Sequence, residues 1–489
     1  MIYDNIVIGS GISALGCIIG LLESKKKVLC IDASGDNLET LKNNKDKKII
    51  FCEQSLPLKD FTFKKKSQKI FKPLEVLESH SFGGLANIWG ANCLRFSQND
   101  FKEWPISYDV LEKYYEICEK VMNVSHFDDE ISEKFKISKD FISPSKSTLF
   151  SNFIKTFLNK KKISSDFVIG LGRVALNSKC YKCSNCFFGC DDNYVTNASD
   201  YLKKLIDEKK IEYKNHLSLK KFVHKNEFIE LEFENNKDTK FLTKKLFIGA
   251  GSIQTPRIVI NSLNKKKDLI LKESQPFYIP CFYLGKNFKN DLEHHTLTQA
   301  HALFEKNIKY DIGKIHYEIK YDPKITKVSL KKQFGFLHKL IPNLLMKRIF
   351  VITGFVSSNY STYSARIRKE DLGIDVIENK NNKKKIKFEI LNQLKILGNN
   401  FNFISMKYFL KLGNFGRGFH LGGSIPMLDE NKIKQMGDND LYTKKNGEIK
   451  KHANVFIIDG TNFTNIPAGS VSLTIMANAL RIAVETSND

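Results

Sequence analysis

Residues 5–22, NIVIGSGISALGCIIGLL, constrain the fold more than any other part of this 489-residue chain. A short apolar strand, Ile6 to Ile8, runs into Gly9-x-Gly11-x-x-Ala14 and then into an apolar helical stretch. The segment KKVLCIDAS (26–34) supplies a second apolar strand that ends in Asp32. This spacing is the βαβ pattern that binds a dinucleotide. Gly9 permits the tight turn. Gly11 lets the backbone approach a pyrophosphate resting on the helix N-terminus. Ala14 lets helix and strand pack closely, and Asp32 suits a ribose diol. The pattern does not choose between FAD and NAD, and the same residues could form an ordinary strand-turn-helix.

Further strand-plus-glycine segments follow. SFGGLANIWGANCLRF (81–96) carries Gly83 and Gly84, with Trp89 and Asn92 beyond them as stacking and hydrogen-bonding groups for a planar ligand. KKLFIGAGSIQTPRIVINS (244–262) reads as a strand, a turn at Gly251 and a helix. NVFIIDGTNF (454–463) is a strand closing on Asp459-Gly460, and SVSLTIMANALRIAVE (470–485) is a helix with Ser472 as its expected N-cap. In GFHLGGSIPM (418–427), His420 sits in a glycine-rich loop that suits neither helix nor strand. Taken locally, that histidine either hydrogen-bonds a loop carbonyl or serves chemistry.

The ordered set of these motifs, with LGKNFKNDLEHH (284–295), resembles the glucose-methanol-choline (GMC) oxidoreductases over nearly the full length. GGLANIWGANCLRF, WPISYDVLEKYY and GFHLGGSIPM most resemble a bacterial subgroup associated with surface-polysaccharide gene clusters. The resemblance implies an α/β fold: an FAD-binding Rossmann-like domain with a second, antiparallel-sheet substrate domain. It implies that Gly9, Gly11, Ala14 and Asp32 hold the ADP half of FAD. It places Gly83, Gly84, Trp89 and Asn92 near the isoalloxazine, Gly251 in a cofactor-side turn, and Asp459 and Gly460 beside the ribityl and pyrophosphate. No histidine lies between His80 and His126, so the FAD is expected to be noncovalent.

The implied activity is oxidation of a CH–OH group of an alcohol or sugar, with a glycan precursor as one candidate. His420 matches the family's catalytic histidine in an H-x-x-G stretch followed by Met427. An alcohol proton is nearly as reluctant as that of water, with a pKa of ~16. A neutral imidazole of pKa ~6.5 can take it as a hydride departs. The family's second polar residue, a histidine or asparagine in N-P-x-x-T, corresponds here to Ser470 in Ser470-Val471-Ser472-Leu473-Thr474. Serine is shorter, and this departure leaves open a redox-neutral lyase or isomerase. A noncatalytic membrane-associated partner in glycan assembly is a further alternative.

Cys180, Cys183, Cys186 and Cys190 stand at C-x2-C-x2-C-x3-C, four of the ten cysteines in the chain. The spacing is that of a bacterial ferredoxin run without its following proline. An iron–sulfur cluster, a zinc ion and plain thiols are all compatible with it.

The expected FAD domain comprises 1–125, 190–292 and 440–489, and the substrate domain 126–189 and 293–439. Within 305–390, β-rich runs including KIKFEIL (385–391) suggest the antiparallel sheet. NQLKILGNNFNFISMKYFLKLG (392–413) reads as a helix leading to the His420 loop. Lys plus Arg outnumber Asp plus Glu by 77 to 54, a formal charge of +23. The excess lies in scattered lysine runs without arginine-rich or aromatic-interleaved motifs, so no nucleic-acid partner is expected. It fits either a solvated lysine-rich surface or an anionic membrane face. Residues 330–350, LKKQFGFLHKLIPNLLMKRIF, could lie on such a membrane or pack as helices or a lid. The N-terminus lacks a secretory pattern, and no apolar run reaches the ~20 residues needed to span a bilayer. The expected location is the cytoplasm, with peripheral contact to the inner face of the membrane left open. The electron acceptor is not indicated.

Overall fold

The structure is a computed structural model. It describes residues 2–35, 78–138, 167–177, 179, 180, 186, 190, 194–234, 236, 238–263, 267–285, 295–304, 315–320, 327, 331, 335–437 and 440–487. Three sheets organise these residues.

The first sheet runs in the order 212–214, 28–31, 2–8, 241–248, 228–233, 219–225, with 455–457 also paired to 241–248. Five of these strands are parallel, and 219–225 and 228–233 form an antiparallel hairpin added to them. The inner parallel strands are apolar and buried over Ile6–Ile8, Val28–Ile31 and Leu246–Ile248, as expected for strands covered on both faces. Their register sets Ile8 beside both Ile31 and Ile248, and Ile248 beside Ile457. Gly9, Asp32, Gly249 and Ile458 are the next residues along each strand. Four distant pieces of sequence therefore end in one row at the carboxyl edge of the sheet, where open α/β folds bind ligands.

The helix Ile12–Glu23 is apolar on nearly every face and is buried. It lies against the final helix, Ser472–Ser487, which is also buried along most of its length. The approach is close: a Cβ on Gly16 would lie 2.3 Å from the Met476 carbonyl oxygen. Ser472 is the first helical residue rather than the cap, a displacement of one position.

The second sheet is antiparallel, ordered 403–405, 275–283, 349–356, 315–320, 300–304, 167–171. On its central strands alternate residues such as Phe277, Ile279, Cys281, Tyr317 and Ile319 enter the core. The opposite face carries His301, His316, Glu318, Thr353 and Phe355, which are cross-strand neighbours. A third, four-stranded sheet is ordered 374–378, 363–367, 269–273, 421–422. Strand 269–273 leads through Ser274 into 275–283, so it joins the His420 loop to the second sheet.

Two expectations are corrected. KIKFEIL is not a strand but part of the helix Lys380–Phe401. Ile386, Ile390, Leu394, Leu397 and Phe401 form its buried stripe, whereas Phe388, the middle of an apparent alternation, is exposed. That helix ends at Asn402, which takes a left-handed conformation with φ 56°. The following residues form the strand Phe403–Ser405 and a short turn of 3-10 helix, not a continued helix. In the 330–350 stretch, the described residues form a 3-10 segment, Gly335–Leu340, and a short helix, Asn343–Met346, before the strand begins at Ile349. Much of the cysteine run, including Cys183, lies outside the described residues.

Candidate functional site

The turn after the first strand is closed by the Gly9 N–H donating to the Ile31 carbonyl at 2.8 Å, with Gly9 at φ 100°. The left-handed backbone there suits glycine. Gly11 is the N-cap of the first helix, and no side chain caps that terminus. Nothing lies within 4 Å of where a Gly11 Cβ would stand. The helix N-terminus thus offers unspent N–H groups facing open room, the arrangement that receives a phosphate. Gly84 approaches this spot: its Cβ would lie 3.5 Å from the Gly11 Cα. The Gly83 N–H donates to Ser10 Oγ at 2.9 Å, which ties the two glycine segments together. Ala14 is fully buried in the helix.

Asp32 stands at the end of its strand with Oδ1 accepting the Ser34 N–H at 2.6 Å. Burial raises its pKa, and hydrogen bonds from Ser10 and Ser34 oppose that. Asp459 spends its carboxylate on bonds within the protein. Its Oδ2 accepts from the Gly251 N–H at 2.9 Å and the Thr255 hydroxyl at 2.5 Å, and its Oδ1 accepts from the Thr461 N–H at 2.9 Å. Its carboxylate therefore closes the Gly251 turn and caps residues 460–462. The Thr461 hydroxyl is buried without a partner.

The His420 loop is pinned from three directions. The Ser274 N–H donates to the His420 carbonyl at 3.1 Å. Ser252 Oγ, from the Gly251 turn, donates to the Leu421 carbonyl at 2.6 Å. Gly423, Ile425 and Met427 donate their N–H groups to the carbonyls of Gly460, Thr461 and Asn462 at 2.8–3.0 Å. Phe419, immediately before the histidine, has φ 56°, an outlying value for a bulky residue. The local backbone is thus held in a costly conformation by its surroundings, as occurs where a side chain must be aimed. The His420 ring stacks on Phe355 with centroids 4.3 Å apart, and Nδ1 is buried with no hydrogen-bond partner. Burial lowers its pKa to about 4 despite Glu318 nearby. It is a neutral base at neutral pH.

Ser470 does not project a free hydroxyl; its Oγ donates to the Asn92 backbone carbonyl. The Asn92 side-chain amide donates to Glu318, and its Oδ1 is a buried acceptor without a partner. Glu318 also accepts from Lys320 at 2.9 Å, Thr353 at 3.2 Å and Thr298 at 3.3 Å. Burial pushes the Glu318 pKa up, but Lys320, His316 and His301 together hold it well below the usual carboxylate range. Trp89 spends its indole N–H on Thr196 and Asn197, both at 3.2 Å.

A cavity opens between the segment 94–100, the strand ends at 303–304 and 315–316, and the turn 468–470. His316, Gly469 and Ser470 share one wall, with Phe96, Phe304 and Asp100 among the others. His420 does not line this cavity but stacks on Phe355, the cross-strand neighbour of His316. Arg95 anchors the 94–100 segment through paired bonds to Glu119 at 2.7 and 2.6 Å.

Sequence reasoning missed His301, His316 and Glu318. They lie on ordinary-looking strands, and the signal available was a polar residue at every second position of KIHYEIK. Of the cysteines, Cys186 Sγ accepts the Thr296 N–H at 3.4 Å and Cys190 Sγ the Tyr194 N–H at 3.2 Å. Among the described residues, no group of three His, Cys, Asp or Glu side chains converges to hold a metal.

Comparison with known proteins bears on the fold. Pyridoxine 4-oxidase from Mesorbium loti superposes with a TM-score of 0.58 at 10% identity, covering 100% of this chain and 99% of that one. An FAD-dependent oxidoreductase from Chaetomium thermophilum superposes with a TM-score of 0.62 at 11% identity, covering 99% of each chain. The chain has the fold of these two proteins. No protein-family model and no curated protein matches its sequence.

Proposed function

We propose that the protein is an FAD-dependent oxidoreductase of the GMC type that oxidises a CH–OH group of an alcohol or sugar. The observation that carries this is the pinning of the His420 loop onto Ser252 and Gly460–Asn462, beside a row of turn residues shaped for a dinucleotide. The residues fit FAD: the uncapped helix terminus at Gly11 would receive the pyrophosphate and Asp32 the ribose. The unpartnered Asn92 Oδ1 is a buried acceptor with capacity left for a ligand.

When bound, FAD accepts a hydride from the carbinol carbon at N5. His420, neutral through burial, takes the hydroxyl proton. Phe355 fixes the plane of its imidazole, and the pinned backbone keeps it in place. Polysaccharide context and a glycan precursor as substrate remain part of this proposal, resting on the sequence resemblance.

The test begins with loading the purified chain with FAD. Alcohols, sugars, nucleotide sugars and lipid-linked glycans are then added anaerobically, and the yellow absorbance is followed. A carbinol substrate should bleach it, and His420→Ala should keep FAD while slowing bleaching by about 10²–10⁴-fold. Failure to take up FAD, or a His420→Ala variant as fast as the parent, sinks the proposal. Turnover of a substrate with no transient bleaching would favour a redox-neutral reaction.

A further inference from the structure

Two buried histidines outside the sequence motifs form a directed chain. The Arg173 backbone N–H meets His301 Nε2 at 3.2 Å. A backbone amide can only donate, so His301 Nε2 must be the unprotonated nitrogen. The proton of a neutral His301 then sits on Nδ1. That nitrogen lies 2.8 Å from His316 Nε2, so His316 Nε2 is the acceptor of this bond. The proton of a neutral His316 is thereby left on Nδ1. Burial holds both imidazoles below their ordinary pKa, His316 at about 4, so both are neutral at pH 7.

The tautomer has a consequence at the cavity. His316 Nδ1 is buried and has no partner within the protein. It faces Gly469: a Cβ built there would lie 2.8 Å from Nδ1. A larger residue at 469 would cover this donor. Gly469 leaves it uncovered by any side chain there, beside the cavity wall that His316 shares with Ser470. Ser470 itself is engaged with the Asn92 carbonyl. A buried N–H without an acceptor is destabilising, so its retention calls for an occupant that accepts.

We propose that His316 is a catalytic residue whose Nδ1–H holds the substrate's hydroxyl oxygen, and that His301 is a positioning residue that locks this tautomer. The proposal rests on the alcohol-oxidising reading above. With FAD held at the Gly9–Gly11 turn, the flavin would supply the acceptor for the electron pair of the breaking C–H bond. The O–H bond breaks with its proton passing to His420, and the C=O bond forms. The His316 donor stabilises the negative charge that grows on oxygen as the proton leaves. Acceptor and donor imidazoles then come from different elements, the 418–427 loop and the strand Ile315–Lys320, both against Phe355.

Two measurements test this on the full FAD-loaded chain. Histidine-selective 15N NMR at pH 7 should show His316 as the Nδ1–H tautomer, identified by loss of its signals in His316→Asn. In His301→Leu the lock is gone and the Nε2–H form should gain. An Nε2–H His316 in the parent overturns the proposal, whatever substrate is found. The second measurement is the reductive rate at saturating substrate. His316→Leu should lose roughly 10²-fold in that rate with FAD content and melting temperature retained. His316→Asn, whose amide can donate from near the Nδ1 position, should recover most of it. Full rate in His316→Leu, or equal loss in both folded variants, overturns the donor role. If no alcohol bleaches the parent, the alcohol reading falls, and the substrate-holding role of His316 falls with it; the tautomer spectrum then decides the His301–His316 lock alone.

Discussion

At the scale of single residues, the site is built from imidazoles that burial keeps uncharged. His420 and His316 each titrate near about 4 in the folded chain, against about 6.5 when exposed in the unfolded one. Above pH 6.5 both are neutral in either state and add no pH dependence. As pH falls from 6.5 toward 4, the unfolded chain takes up protons that the folded chain refuses. Stability therefore falls with falling pH across this window. Urea midpoints at pH 7, 6 and 5 should show the decline. His316→Leu should flatten it by up to about 1.4 kcal/mol per pH unit. An unchanged slope in that variant would show that His316 is protonated in the fold. His420 stands out in the sequence because it lies among glycines in a motif. His316 does not, because a histidine on a strand looks the same whether it faces solvent, core or ligand until the cross-strand neighbours are known.

At the scale of elements, the contact between the first and last helices decides how closely the Gly9–Gly11 turn and the 468–470 turn approach. Alanine ordinarily favours a helix over glycine by about 1 kcal/mol. At Gly16 the added Cβ meets the backbone oxygen of Met476 at 2.3 Å, and backbone cannot move aside cheaply. Overpacking of this kind costs about 1–3 kcal/mol or more, so Gly16→Ala should destabilise despite its propensity. Thermal or urea unfolding of that variant measures the balance, and a net gain would mean the two helices are not in contact at that point. The sequence showed that both segments are apolar helices, but not that they touch. KIKFEIL was misread because three alternate apolar residues fit period two locally. The helical stripe emerges only over the longer run from Ile386 to Phe401.

At the scale of the whole molecule, one face of the second sheet links the site to an apolar surface. Phe355 and His316 lie toward one end of that face. Cross-strand partners Ile349, Phe282 and Ile404 lie toward the other, about 20 Å along the strand. Ile404 is exposed there, and Phe336 and Leu344 of the 335–346 segment are 79% and 69% exposed. The membrane contact proposed from the sequence would draw on these exposed apolar residues, on exposed Lys339, Lys407 and Lys411 and on the formal charge of +23. Among the described residues no helix is long and apolar enough to cross a membrane. The full chain should co-sediment with phosphatidylglycerol-containing vesicles more than with neutral phosphatidylcholine vesicles. A paired change, Phe336→Ser with Leu344→Ser, should weaken that binding. Equal, negligible sedimentation with both vesicle types would remove membrane docking from the account.

The sequence by itself determined the glycine turn after the first strand, the strands 315–320 and 349–356 of the second sheet and the glycine-rich setting of His420. Each is encoded locally, by glycines at fixed offsets, by alternation, or by a histidine in a motif. The tertiary structure decided where those pieces meet. Parallel register put Gly9, Asp32, Gly249 and Ile458 in one row, and sheet pairing placed His301 against Glu318 and His316 against Phe355. It also committed Ser470 and Asp459 to bonds within the protein and left His316 Nδ1 buried without a partner. Register and hydrogen-bond partnership depend on residues hundreds of positions apart, so no local pattern carries them.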